Sequence, residues 1–298
     1  MNNSNTKNHP LGILLCIAAI LAVSILAGFV KVLSKAGLAT QEVIFFQSVV
    51  SLIVLLPWVL SRGTVYLIPK NKVLVICRAF IGLTFLYLFY LSVRLVPLVN
   101  AMLLRNTGPL FIPILVFLAF KKKIGLKVLA SIAIGFIGVI LVLDPGRGFL
   151  RPGDLIALSA GFTSACGTVL VGYLEDKGEL VPAMMFYYIV TTLVVTGICS
   201  VHVWKTPQGI LWLYLALAGI FYAVYQVLFL LALKYSSAVV ISPFIFLGVV
   251  FSGVVDWIGW RQTPEFMTVI GSIVVVTGAV LATVHHSKCR TEYGKTGR

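Results

Sequence analysis

Arg105 has the most unusual setting of any charged side chain in this sequence, because it stands about seven residues into a run, 98–120, that holds no other charge. At ~1.5 Å per helical residue it lies about 10 Å from the start of that run. A guanidinium there presents donors in a rigid fork that matches a carboxylate or a phosphate. Asn100, Asn106 and Thr107 add neutral polar groups on the same run. Pro109 lacks the N–H that would bond the carbonyl of Arg105, Pro113 does the same to the carbonyl of Pro109, and Pro243 supplies a similar interruption in the run 238–258. A helix loosened in this way can offer backbone acceptors to a ligand, and a plain helix kink carries the same signature. Two other readings of Arg105 compete with ligand binding: snorkelling to the nearer interface, and a structural ion pair with Asp256.

A second group is aromatic. Tyr222, Tyr225, Gln226 and Phe229 follow the i, i+3, i+4, i+7 spacing and share one helix face. Such a stripe suits stacking and hydrogen bonding to a planar or zwitterionic ligand; helix packing or an interfacial aromatic belt produces the same pattern. Tyr187 and Tyr188, with Thr191 and Thr192, form a neighbouring set, and Gln47 and Ser51 occupy the corresponding stretch of the first half. Arg78 sits about one and a half turns into its run, close enough to an interface to snorkel, which favours a structural or gating contact. Ala157, Ala160, Gly161, Ser164 and Gly167 read as small residues that let helices approach closely.

These side chains need apolar helices to hold them. Of 298 residues, 60% are hydrophobic and only 11% charged, against ~25% charged in an ordinary soluble domain. With a mean hydropathy of +1.06, a cytosolic globular enzyme and a disordered chain are both excluded. Ten predicted spans cover about 11–30, 43–60, 73–93, 98–120, 128–143, 154–174, 183–203, 210–232, 238–258 and 267–286. The first run, preceded by Lys7 and containing Ala22-Val23-Ser24, has some features of a signal peptide, but its length and its internal counterpart favour a retained span. The net charge of +14 reflects Lys and Arg between spans and does not point to nucleic acid. Fourteen of these residues fall on the side of the N-terminus and seven, Lys31 among them, on the other, which places both termini in the cytoplasm. Five cysteines without CxxC spacing and four histidines near tails or span ends predict neither a disulfide framework nor a metal site, and no cofactor.

The chain also repeats itself. A shift of 141 lays Gly12 on Gly153, Ala19 on Ala160 and Gly37 on Gly178; a shift of 140 lays Phe89 on Phe229, Phe111 on Phe251 and Gly138 on Gly278. The expected fold is an all-α integral membrane protein whose ten transmembrane helices form two five-helix repeats. Because five is odd, the second repeat is inverted. The expected divisions are a cytoplasmic tail 1–10, a first repeat 11–143, a connecting loop 144–153, a second repeat 154–286 and a cytoplasmic tail 287–298.

At Leu91-Ser92-Val93-Arg94-Leu95-Val96-Pro97 and Ala232-Leu233-Lys234-Tyr235-Ser236-Ser237-Ala238, at Pro109-Leu110-Phe111, at Arg78, and at the pairs Gly138-Val139 and Gly278-Ala279, the sequence resembles EamA-type members of the drug/metabolite transporter superfamily. The resemblance covers about residues 11–286. It implies a bacterial inner-membrane carrier that moves a small organic metabolite through a central cavity. Gly248-Val249 stands where many relatives have Glu-Pro, and Lys122 and Gln262 stand where an acidic residue is frequent, so substrate and coupling do not carry over from acidic-pocket relatives. The expected activity is secondary active transport of an anionic or zwitterionic metabolite, such as an amino acid or an S-adenosylmethionine-like compound, by alternating access. The alternative is multidrug-type efflux of lipophilic compounds; the embedded Arg105 disfavours cations. No GxxxxGK[ST] motif is present, and no histidine lies deep in a span to serve a membrane-embedded enzyme. The expected partners are a small-molecule substrate and the lipid bilayer. Proton or sodium coupling and a homodimer stay open.

Overall fold

The computed structural model describes residues 9–61, 68–121, 125–143, 151–236 and 238–296. Lys7, Arg62, Lys122, Lys123, Arg147 and most of the expected 144–153 loop lie outside them. Among the described residues every regular element is a helix: α1 His9–Lys35, α2 Thr40–Ser61, α3 Lys72–Leu95, α4 Leu98–Arg105, α5 Gly108–Phe120, α6 Leu126–Leu143, α7 Pro152–Asp176, α8 Val181–Ser200, α9 Leu211–Tyr235, α10 Ala238–Ile245, α11 Leu247–Trp260 and α12 Phe266–Thr296. Eight segments there are long and apolar enough to cross a membrane; Thr40–Val54 and Phe266–Leu281 are shorter apolar stretches.

Two predicted helices are broken. The run 98–120 divides at Asn106 and Thr107, and 238–258 divides at Phe246. Pro109 explains the first break, since it sits in the first turn of α5, where its missing N–H costs nothing, and it cannot extend α4. The second break falls three residues beyond Pro243, which lies inside α10, and Phe246 N–H bonds the Pro243 carbonyl at 3.3 Å. Pro113 is accommodated inside α5. The breaks stand 140 residues apart, as do Lys121 and Arg261, the basic caps with positive φ (53° and 55°) that end α5 and α11.

The extensive helix contacts join the first half of the chain to the second. α6 lies along α12, α1 along α9, and α3 along α7; α2 meets α8 and α9, and α11 meets α1 and α4. The halves are therefore interleaved, and the main core draws on α1, α2, α3 and α9 together. Glycines set the closest seam. A methyl on Gly278 of α12 would lie 2.4 Å from the Cα of Gly135 in α6, and one on Gly138 would lie 2.5 Å from the Val275 nitrogen. Both obstacles are backbone, so the helices themselves would have to part. Gly278→Ala is expected to lower stability in detergent by about 1–3 kcal/mol. Gly172→Ala in α7, where a methyl meets nothing within 4 Å, is expected to be neutral or slightly stabilising in the same thermal unfolding assay.

Candidate functional site

Arg105 ends α4 at the first break. Its guanidinium carbon lies 4.3 Å from the Phe89 ring centre and 5.3 Å from that of Phe85, so two aromatic faces of α3 carry the charge. Those rings are nearly parallel, with centres 6.5 Å apart. Arg105 is half-buried, and among the described residues no carboxylate pairs with it; its nearest polar contact is the Met102 sulfur at 4.0 Å. The break itself is tightly fitted. The Thr107 hydroxyl donates to the Leu104 carbonyl at 2.6 Å, and a methyl on Gly161 of α7 would collide with both groups. Gly161 thus lets α7 close on the break, and Thr107 has a backbone role. Asn106 is half-buried and faces the second break: a methyl on Gly248 would lie 4.0 Å from its amide nitrogen.

The α9 stripe forms a continuous aromatic wall. Ring centres of Tyr222 and Tyr225 are 6.3 Å apart, and those of Tyr225 and Phe229 are 5.7 Å apart. The Tyr222 hydroxyl lies 3.2 Å from that of Tyr188 and accepts from Gln226 Nε2 at 3.4 Å. On the facing side, the buried Tyr90 hydroxyl donates to Gln47 Oε1. Arg78 is brought here too, with its guanidinium carbon 5.1 Å from the Tyr188 ring centre. Tyr187 is not: it packs beside Val75, Leu174 and Met184, and the adjacent Tyr188 supplies the hydroxyl to the cluster.

Asn100 and Asp256 belong to a different place. At the end where α1 finishes, the Lys31 ammonium lies 2.6 Å from Asp256 Oδ1, and the two side chains are only 6% and 1% exposed. Asp256 Oδ2 also accepts from the Leu98 N–H at 2.6 Å, while Lys31 donates to Gln262 at 3.1 Å. The expected alternative of an Arg105–Asp256 ion pair is overturned, because Lys31 and the first turn of α4 use both carboxylate oxygens. Lys31, grouped with loop charges on sequence grounds, is a buried member of α1. The Asn100 amide donates to Asp154 at 3.4 Å nearby. Asn100, Asp256, Arg151, Gln262 and Glu265 line a cleft of about 210 Å³, apart from the aromatic wall. The sequence reading missed Lys31, Asp154 and Tyr90. No sequence signal singled out the first: Lys31 stands just past the expected span 11–30, beside Lys35, where it reads as a loop charge.

The described arrangement is a guanidinium on aromatic faces, a set of tyrosine hydroxyls and two facing helix breaks, held among apolar helices. A guanidinium on aromatic faces beside tyrosine hydroxyls has the chemistry to hold an anionic or planar group. A crystal structure that is 16% identical, with a TM-score of 0.60, aligns over 95% of this chain and 99% of its own and so shares the fold. The pseudopaline exporter CntI of Pseudomonas aeruginosa is 22% identical over 275 residues, 90% of this chain and 94% of its own. The riboflavin transporter of Vibrio cholerae is 25% identical over 290 residues, 95% and 96%. An S-adenosylmethionine uptake transporter of Rickettsia bellii is 24% identical over 254 residues, 84% and 86%. The profile of the EamA-like transporter family matches residues 10–144 and again 151–284. With both halves matched, the chain belongs to the EamA-like transporter family of the drug/metabolite transporter superfamily and is a multi-pass membrane protein of transport.

Proposed function

We propose that this chain is a secondary carrier for a small organic metabolite with an anionic or zwitterionic group, working by alternating access between two inverted five-helix repeats, 11–143 and 154–286. The observation that carries the substrate class is Arg105, a guanidinium set on Phe85 and Phe89 with no carboxylate partner among the described residues. A half-buried cation of this kind attracts a carboxylate or phosphate and repels organic cations. Ten spans are reached by reading α4 with α5 and α10 with α11 as broken single crossings. The reciprocal glycine contacts of α6 and α12, and the breaks and αL caps 140 residues apart, support the repeat. Broken helices facing each other are a common site geometry in such carriers. Opening the end held by Lys31 and Asp256 would require α1 and α11 to separate there.

The bias of basic residues supports cytoplasmic termini in a bacterial inner membrane, and no enzymatic step is part of the proposal. The relatives include both an exporter and uptake proteins, so direction is not carried over. Uptake into proteoliposomes tests the proposal, using labelled amino acids, S-adenosylmethionine, riboflavin and tetraphenylphosphonium, with proton and sodium gradients imposed separately. Saturable uptake of an anionic or zwitterionic compound is expected. Transport confined to tetraphenylphosphonium would replace this reading with multidrug-type efflux.

A further inference from the structure

Among the described residues, three buried side-chain polar atoms have no hydrogen-bond partner: Gln47 Nε2, Arg78 Nε and Arg78 Nη1. All three are donors. Buried polar groups are nearly always satisfied in folded proteins, and an unsatisfied guanidinium is the most costly of them to leave unmatched. Interface snorkelling does not describe Arg78, whose Nε and Nη1 are shielded within the protein. Its guanidinium turns toward the next turn of its own helix, where Gly82 makes space: a methyl there would lie 2.9 Å from Arg78 Nη1 and 2.8 Å from the Tyr188 ring. The same ring carries the guanidinium face, and its hydroxyl joins Tyr222. Phe85 and Phe89, which carry Arg105, belong to the same packed cluster as Tyr222 and Tyr225. The two arginines therefore flank one aromatic cluster.

Their spacing follows from α3. Arg78 rests at Gly82 and Arg105 rests on Phe85 and Phe89, so the guanidinium groups are separated by ~5–10 Å along the helix at ~1.5 Å per residue. Resting on the substrate class proposed above, we infer that Arg78 is a second anion-anchoring residue and that the substrate is two-headed: one acidic group meets Arg105, a second meets Arg78, and a planar middle lies against Tyr188, Tyr222 and Tyr225. Gln47 Nε2 provides a further donor at the Arg105 level, since Gln47 holds Tyr90, the neighbour of Phe89.

The test is equilibrium binding to the full chain in lipid nanodiscs, with phenylalanine and 4-carboxyphenylalanine as probes that differ only in a second carboxylate across the ring. A charge-assisted pair at Arg78 is expected to favour the diacid by about tenfold or more in the wild type. Arg78→Gln brings the ratio of the two affinities toward one, Gly82→Ala lowers it by displacing Arg78, and Arg78→Lys leaves an intermediate ratio because the charge stays but the fork is lost. Arg105→Gln weakens both probes. A wild-type ratio retained in Arg78→Gln, or no preference in the wild type, overturns the second anchor; if phenylalanine binding then still depends on Arg105, the single-anchor reading stands. Binding of neither probe by the wild type overturns both.

Discussion

Arg105→Ala is expected to reduce transport efficiency by about 100-fold or more, while the yield and thermal stability of the folded protein stay close to wild type. The asymmetry comes from what Arg105 does and does not touch. A bidentate contact to a substrate carboxylate comprises two charge-assisted hydrogen bonds of ~1.5–3 kcal/mol each, and every ~1.4 kcal/mol is tenfold. Within the described protein the guanidinium has aromatic faces but no carboxylate, so its removal leaves no buried acid unpaired. The loss of those cation–π contacts costs about 1 kcal/mol. Arg105→Lys keeps the charge but not the planar fork and is expected to fall between, about tenfold below wild type. Initial uptake rates normalised to purified, monodisperse protein measure the first effect, and melting in detergent the second. A variant that loses expression in step with transport would identify Arg105 as a structural residue.

Asp256→Ala is expected to do the reverse: it should destabilise the protein by about 3–5 kcal/mol, the cost of stranding one partner of a buried ion pair. Lys31 would be stranded in a site where it is 5% exposed, with Gln262 as its remaining hydrogen-bond acceptor and Trp260 beneath it at 4.5 Å from the ring centre. The Leu98 N–H at the start of α4 would lose its acceptor as well. Asp256→Asn retains an acceptor for Leu98 and is expected to be milder. The double variant Lys31→Met with Asp256→Leu removes both charges, and its expected recovery of much of the lost stability follows from the same desolvation argument. Thermal unfolding of the wild type, Lys31→Met, Asp256→Leu and the double variant measures the coupling between the two residues. Additive single effects would show that the ion pair contributes nothing to the packing of α1 against α11.

The apolar helices were legible in the sequence because apolar length is a strong signal and charges punctuate it. The broken helices were legible in part. Pro109 marks the α4–α5 division directly, whereas Pro243 points to a break that the chain makes three residues later, at Phe246, after accommodating the proline within α10. Arg105 stood out since no other charge shares its run. Lys31 did not, because it sits near a run's end where it is indistinguishable from a loop charge until Asp256 on a helix 225 residues away closes on it. The same limit applies to side-chain direction. Periodicity places Tyr222, Tyr225 and Gln226 on one face, yet it cannot tell whether Tyr187 or Tyr188 turns toward them, and that choice rests on how α8 is rotated against α3 and α9. Asn100 and Asn106, close in sequence, serve opposite ends of α4 for the same reason.

Counterflow bears most directly on the claim that Arg105 binds an anionic or zwitterionic metabolite in a carrier with two alternating faces. Proteoliposomes are loaded with a high concentration of the unlabelled metabolite identified by uptake, diluted, and given a trace of the labelled compound outside. Transient accumulation of label above equilibrium is expected for the wild type and is expected to be absent for Arg105→Ala. Saturable entry without any overshoot in the wild type, or an undiminished overshoot in Arg105→Ala, would contradict the account.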